Sequence, residues 1–319
     1  MISISTEKIT SLISVFQTEI NKYIVEAKSN LKSILYDYDS SLKSESKNYL
    51  NSLIGDFEKI VVADPVELEA YRKNLGLVPD DILTKKDSKI SLKDEIERAI
   101  GYQSMRSNFF PKFFQKVGIK SCVYCNSQLT VSIESEKPEV KAKFQLDHKL
   151  PQSKYPCFGI SIFNLYPVCG SCNNSKKEKE IDFDLYSDDS TKTENSEFNF
   201  ELEKGSVAKF LITREIKDLV ITFDEPRKTS TKKGPFQLTF DIEGIYDTQK
   251  DLAEELVLKS QVYDNAYRQT LADSFPQIFT HVSLSRRLFV GNYTKPNEIH
   301  KRPMAKFTQD IARQLTLIE

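Results

Sequence analysis

Two Cys-x-x-Cys pairs, Cys122 with Cys125 and Cys169 with Cys172, stand forty-three residues apart and hold four of the five cysteines in a 319-residue chain. Each pair offers two thiolates to one ion, so together they can close a tetrahedral Zn²⁺ site with no open position, which is a structural rather than a catalytic arrangement. Such an ion staples two distant loops and supplies folding free energy to a loop-rich segment. Merely buried cysteines and redox use of one pair are the alternatives. The matched pairing and the lack of a thioredoxin-like strand-helix context weigh against both. Cys157 lies outside either pair and reads as a small hydrophobe.

Most of the stretch FQLDHKLPQSKYPCFGISIFNLYPVCGSCNNSKK lies between the two pairs. It carries Asp147 and His148 side by side, in a chain with only three histidines. Hydrolysis of a phosphodiester calls for a hard divalent cation and a base that activates water. Asp147 and an amide oxygen suit Mg²⁺ or Mn²⁺, which need few protein ligands. His148 titrates near neutrality and suits the base. His281 and His300 have no cysteine or acid at metal spacing, and both read as structural.

These residues resemble the ββα-metal, or HNH, endonuclease motif in its zinc-bracketed form. The matching elements are the first knuckle, LDHKLP, FNL and CGSCNNSK. The resemblance implies His148 as general base, Asp147 as first metal ligand, Asn164 as the brace of the loop that holds the base, and Asn173 as second ligand. Many members of the family carry His at the Asn173 position, and Asn174 is a neighbouring candidate. The resemblance also implies that Lys176 reaches a phosphate, while Lys149 and Lys177 read as further candidate nucleic-acid contacts against the alternative of solvated surface lysines. It covers about sixty residues. YCN, SIFNLYPVCGSCN and GNYTKPNEIHKRPMAKFTQDI are similar in style to bacterial HNH proteins that form the nuclease halves of two-component anti-phage systems, such as Septu and some retron systems, beside an ATPase. That likeness implies a DNA substrate, with RNA as the alternative, and an ATPase partner in a defence complex.

The elements that must position these residues follow from periodicity. Apolar residues at steps of three and four predict a long helix over 6–36, and a second helix covers about 44–60. A third begins with Asp64 as N-cap and Pro65 at the first position and stops at Gly76. Another starts at Ser91, where SLKD has capping-box spacing. Short strands, loops and a helix are expected over 105–180, and the polar run at 186–197 reads as a linker or exposed loop. From 198 to 243 the period changes to two and predicts strands, including Phe236 to Ile242. Helices follow over about 248–275 and 303–317. The expected fold class is α+β, with a helical region at 1–104, an HNH module at 105–185 and an α+β region at 198–319. Phe109, Phe110, Phe113 and Phe114 are expected to pack the first knuckle against the helical third.

No apolar run approaches a membrane span and no signal-peptide pattern appears, which points to the cytoplasm. The net charge of −1 does not describe a free processive nuclease. Basic residues are nevertheless concentrated locally, with eight Lys or Arg against four acids in 101–149 and seven against three in 281–319. Lys154 and Lys179 share that surface, and Arg286, Arg287, Lys301 and Arg302 are as compatible with a plain basic surface as with nucleic acid. A zinc-stapled module without catalysis and an HNH ribonuclease are the competing functions.

Overall fold

The computed structural model describes residues 1–85, 88–134, 140–179, 181–226, 234–279 and 282–318; His281 lies outside them. Helix and strand are mixed, as in the α+β class.

The N-terminal third forms helices Thr6–Val15, Gln17–Asp37, Ser44–Val62 and Pro65–Leu75. The single helix expected over 6–36 is interrupted at Phe16, whose ring packs edge-on against Phe109 at 5.7 Å and Phe113 at 5.9 Å. At the next start signal, Asp64 accepts from the backbone N–H groups of Val66 and Glu67, and the Glu67 carboxylate accepts from the Asp64 N–H. Gly76, at φ 68°, ends that helix in a conformation that disfavours any side chain with a Cβ. Ser91 caps helix Leu92–Ala99 through the Asp94 N–H at 3.1 Å.

Helices Tyr102–Asn108 and Phe110–Val117 lead into the centre of the chain. Phe109, Phe110, Phe113 and Phe114 are all buried, touching Phe16 and Tyr23 on the helical side and Phe144 on the strand side. Two antiparallel hairpins follow. The upstream one pairs Val131–Glu134 with Val140–Lys143, and the second pairs Gln145–His148 with Leu165–Val168. In the second, Asp147 faces Tyr166 and His148 faces Leu165. Helix Gly170–Lys176 begins directly after it.

The polar run at 186–197 is more than a linker. Tyr186 and Ser187 pair in parallel with Ile4 and Ser5, and Asp189 caps helix Ser190–Glu194. Beyond it, Asn199–Leu202 and Ile221–Asp224 are strands as expected and pair antiparallel, separated by a helix, Lys204–Thr213, that the alternation concealed. The strand expected at 236–242 is helical instead, as Pro235–Phe240 followed by Ile242–Asp247. Pro235 opens the first of these, and Phe236 and Phe240 are buried one turn apart while Leu238 is 60% exposed. Helices Lys250–Val262, Asn265–Ser274 and Ala305–Gln314 match expectation. One continuous apolar core joins residues from all three regions. Among the described residues no helix is long and apolar enough to cross a membrane.

Candidate metal centre and adjoining polar site

The turn after Ser121 and the start of helix Gly170–Lys176 bring Cys122, Cys125, Cys169 and Cys172 together. Their sulfurs lie within 4.8 Å of one another and all four residues are buried. Four thiolates about 2.3 Å from one ion would stand a little under 4 Å apart, and Cys125 and Cys169 are separated by 3.9 Å. The Ser127 N–H and hydroxyl donate to the Cys125 sulfur at 3.5 and 3.2 Å, as groups around a metal-bound thiolate do. Soft donors, number, spacing and burial therefore fit a structural zinc ion. Cys157 is buried in the core, away from the cluster.

Asn126 ties this knuckle to the far end of the chain. It takes φ 53°, a left-handed conformation that asparagine tolerates better than most residues. Its side chain donates to the Ser121 hydroxyl at 2.7 Å and the Ile299 carbonyl at 2.9 Å and accepts from the Lys306 N–H at 2.9 Å. Its own carbonyl accepts from Met304 at 2.6 Å. Tyr246 adds a hydrogen bond to the Cys125 carbonyl at 2.9 Å. The YCN and IHKRPMAK stretches, 173 residues apart at Asn126 and Ile299, thus meet in space.

Asp147 and His148 are adjacent on a strand, so their side chains leave opposite faces. Asp147 faces the metal cluster and the helix after it. Its carboxylate accepts from the Tyr124 hydroxyl at 2.6 Å and pairs with the Lys176 ammonium at 3.0 Å. Burial raises its carboxyl above the ordinary carboxylate range, against the opposing pull of Lys176 and Tyr124. On the same strand face, Gln145 accepts from the Asn173 amide at 2.7 Å. Gln145, Asp147, Asn173 and Lys176 thus form one polar seam between strand and helix. Lys176, expected to reach a phosphate, is 1% exposed, because its ammonium is the counter-charge of Asp147 and also donates to the His148 carbonyl at 3.0 Å. Asn174 is exposed on the outer side of the helix.

His148 lies on the other face, under Tyr102 at a ring separation of 5.0 Å. Its Nε2 is 3.0 Å from the Gly159 carbonyl. A carbonyl can only accept, so Nε2 carries the proton and Nδ1 is the free base position. Burial holds the imidazole down to about 4, which keeps it neutral at physiological pH. Gly159 leaves that loop close-packed: a Cβ there would meet Ile100 Cδ1 at 2.8 Å and the Pro156 carbonyl at 3.1 Å. Asn164, wholly buried, spans the same loop. It accepts from the Leu150 N–H at 2.7 Å and donates to the Leu150 and Phe158 carbonyls at 3.3 and 3.1 Å. Among the described residues no hydrogen bond joins the His148 ring to the Asp147 carboxylate.

No protein-family model, curated protein or solved structure matches this chain. The chemistry of the site rests on its own geometry.

Lys149 pairs with Asp184, and Lys177 is exposed just past the helix. Lys154 and Lys179 are exposed as well. Arg287, Lys301 and Arg302 gather around the Tyr293 ring at 5.1, 5.4 and 5.5 Å. His300 is buried and hydrogen-bonds the Ile2 carbonyl at 2.8 Å. Sequence reasoning missed Tyr124, Tyr102 and Gly159. Tyr124 sits inside the Cys-x-x-Cys spacing, where only the cysteines drew notice, and Gly159 needed the position of Ile100 to explain it.

Proposed function

We propose that the chain is a metal-dependent endonuclease of the HNH kind that hydrolyses phosphodiester bonds in DNA. The observation that carries this reading is His148, neutral, buried and oriented by the Gly159 carbonyl so that Nδ1 is left as a proton acceptor. His148 takes the proton of the attacking water at Nδ1 while Nε2–H stays on Gly159, and Asn164 keeps that loop in place. Asp147 and the side-chain oxygen of Asn173 are the hard donors that would hold a Mg²⁺ or Mn²⁺ ion, whose chemistry when bound is to stabilise charge on the phosphate and leaving oxygen. In kind they fit, but they sit on the strand face away from His148, so for one phosphate to meet both it must lie across the strand end at His148, and Lys176 must yield the Asp147 carboxylate. Lys176 would then be free to turn toward a phosphate.

That same closure favours a second reading, a zinc-stapled binding module without catalysis. Both Asp147 oxygens are engaged and His148 is only 9% exposed. Plasmid nicking with Mg²⁺ or Mn²⁺, with RNA digested alongside, separates the two. The nuclease reading requires cleavage by the wild type that His148→Ala lowers by about 10²- to 10⁴-fold. Equal cleavage by both proteins, or none by either alone or with the natural partner, supports the second reading.

The likeness of the flanking stretches to the nuclease halves of anti-phage systems supports an ATPase partner and a role in bacterial defence. Affinity purification from the native host, with an ATPase recovered in stoichiometric amount, is the test of that assembly.

A further inference from the structure

A groove enclosing ≈ 630 Å³ runs between helix Tyr102–Asn108 and strand Val140–Lys143. Arg106, Lys112, Lys141 and Lys143 line it together with the neutral donors Gln103 and Asn108, and no acidic side chain does so among the described residues. Lys112 is half-buried and shared with Glu19 at 3.4 Å. Arg106, Lys141 and Lys143 are exposed, and none forms an ion pair with a described residue. Three cations thus surround one concavity that no described acid lines, in a chain of net charge −1. Strand Val140–Lys143 pairs on one side only, so its other edge has no strand partner among the described residues.

Two contacts tie the groove to the His148 face. Leu146, two residues before His148 and therefore on the same strand face, lines the groove. Tyr102, one helical turn before Arg106, covers the His148 ring. Asp147 and Lys176 lie on the opposite face.

We propose that this groove seats the phosphodiester backbone of the nucleic-acid substrate and leads it to the face of the hairpin that carries His148. Delivery to His148 rests on the nuclease reading, whereas backbone binding does not. The groove binds phosphates, so its affinity is dominated by counterion release and is indifferent to base sequence.

The test uses the zinc-loaded full chain carrying His148→Ala, with a fluorescent 30-base-pair DNA duplex titrated over a salt series without added divalent cation. A matched single strand and an RNA duplex are titrated in parallel. Adding Arg106→Glu, Lys141→Glu and Lys143→Glu, all at exposed positions, is expected to weaken duplex binding at least tenfold. It should also make the log K against log salt slope shallower by about 2–3, near 0.9 for each phosphate that is no longer neutralised. Unchanged melting temperature and zinc content of this variant exclude misfolding. Equal affinity and slope with and without the three reversals overturn the proposal, as does a parent protein that shows no salt-dependent binding. Nicking is measured separately with His148 restored. Active wild type with unaffected groove variants sinks the groove and leaves the nuclease standing. Inactive wild type with a groove-dependent slope does the reverse.

Discussion

The Lys176 ammonium lies 3.0 Å from the Asp147 carboxylate, with the two residues twenty-nine positions apart and both side chains almost wholly buried. Removing one member of such a pair leaves a charge with neither water nor partner. Lys176→Met is therefore expected to destabilise the zinc-loaded protein by about 3–5 kcal/mol. Lys176→Met with Asp147→Asn, which keeps an acceptor for Tyr124, should recover most of the loss. Urea unfolding of the four proteins in the cycle measures it, and a double-variant loss equal to the sum of the two single losses would show that the pair is not coupled.

Gly159→Ala places a methyl group 2.8 Å from Ile100 Cδ1 and 3.1 Å from the Pro156 carbonyl, and is expected to shift the carbonyl that orients His148. Nicking activity should fall about tenfold or more by misplacement of the base. Ile100→Val removes the offending Cδ1 atom, so the double variant should regain much of the activity. Absence of any rescue would mean that Gly159 matters for another reason.

The four buried sulfurs predict one zinc ion per chain. Stripping it with a strong chelator should unfold the central region, because a structural zinc site contributes about 10–16 kcal/mol of apparent binding free energy at neutral pH. Elemental analysis and circular dichroism follow the two events. Cys122→Ser should lose the metal and the fold together, whereas Cys157→Ser should keep the zinc.

Acid stability depends on His300, whose imidazole burial holds down to about 3. The unfolded chain protonates near 6.5 while the folded one stays neutral, so between these values the unfolded state binds more protons. The stability from this group is complete above pH 6.5 and is lost as pH falls toward 3. His300→Gln retains a donor for the Ile2 carbonyl. It should flatten the fall in stability by up to about 1.4 kcal/mol per pH unit in that window. Chemical denaturation at pH 4.5, 5.5 and 6.5 reads the slope, and identical slopes would contradict the prediction.

Local signals were legible in the sequence wherever neighbours in the chain decide the outcome. Asp64, Pro65 and Glu67 start a helix by satisfying their own backbone, and the cysteine spacing already contains the geometry of a tetrahedral site. Apolar alternation misled at Phe236–Ile242, because residues 236 and 240 fit both a two-residue and a helical period, and the exposure of Leu238 distinguishes them. The break at Phe16 depends on Phe109 and Phe113, more than ninety residues away. Asp147 and His148 looked like one unit because they adjoin in sequence. The strand alternation separates them, and the partners that give each its chemical state, Lys176 and Gly159, come from a helix and a loop whose packing against the strand no local pattern identifies.

Tyr124 stands between two metal-binding cysteines and gives its hydroxyl to Asp147. For protein engineering this sets the smallest portable unit. A graft of residues 145–176 alone would carry Asp147 without its tyrosine and Cys169 and Cys172 without their partners, so any transplant has to bring the 122–126 turn with it.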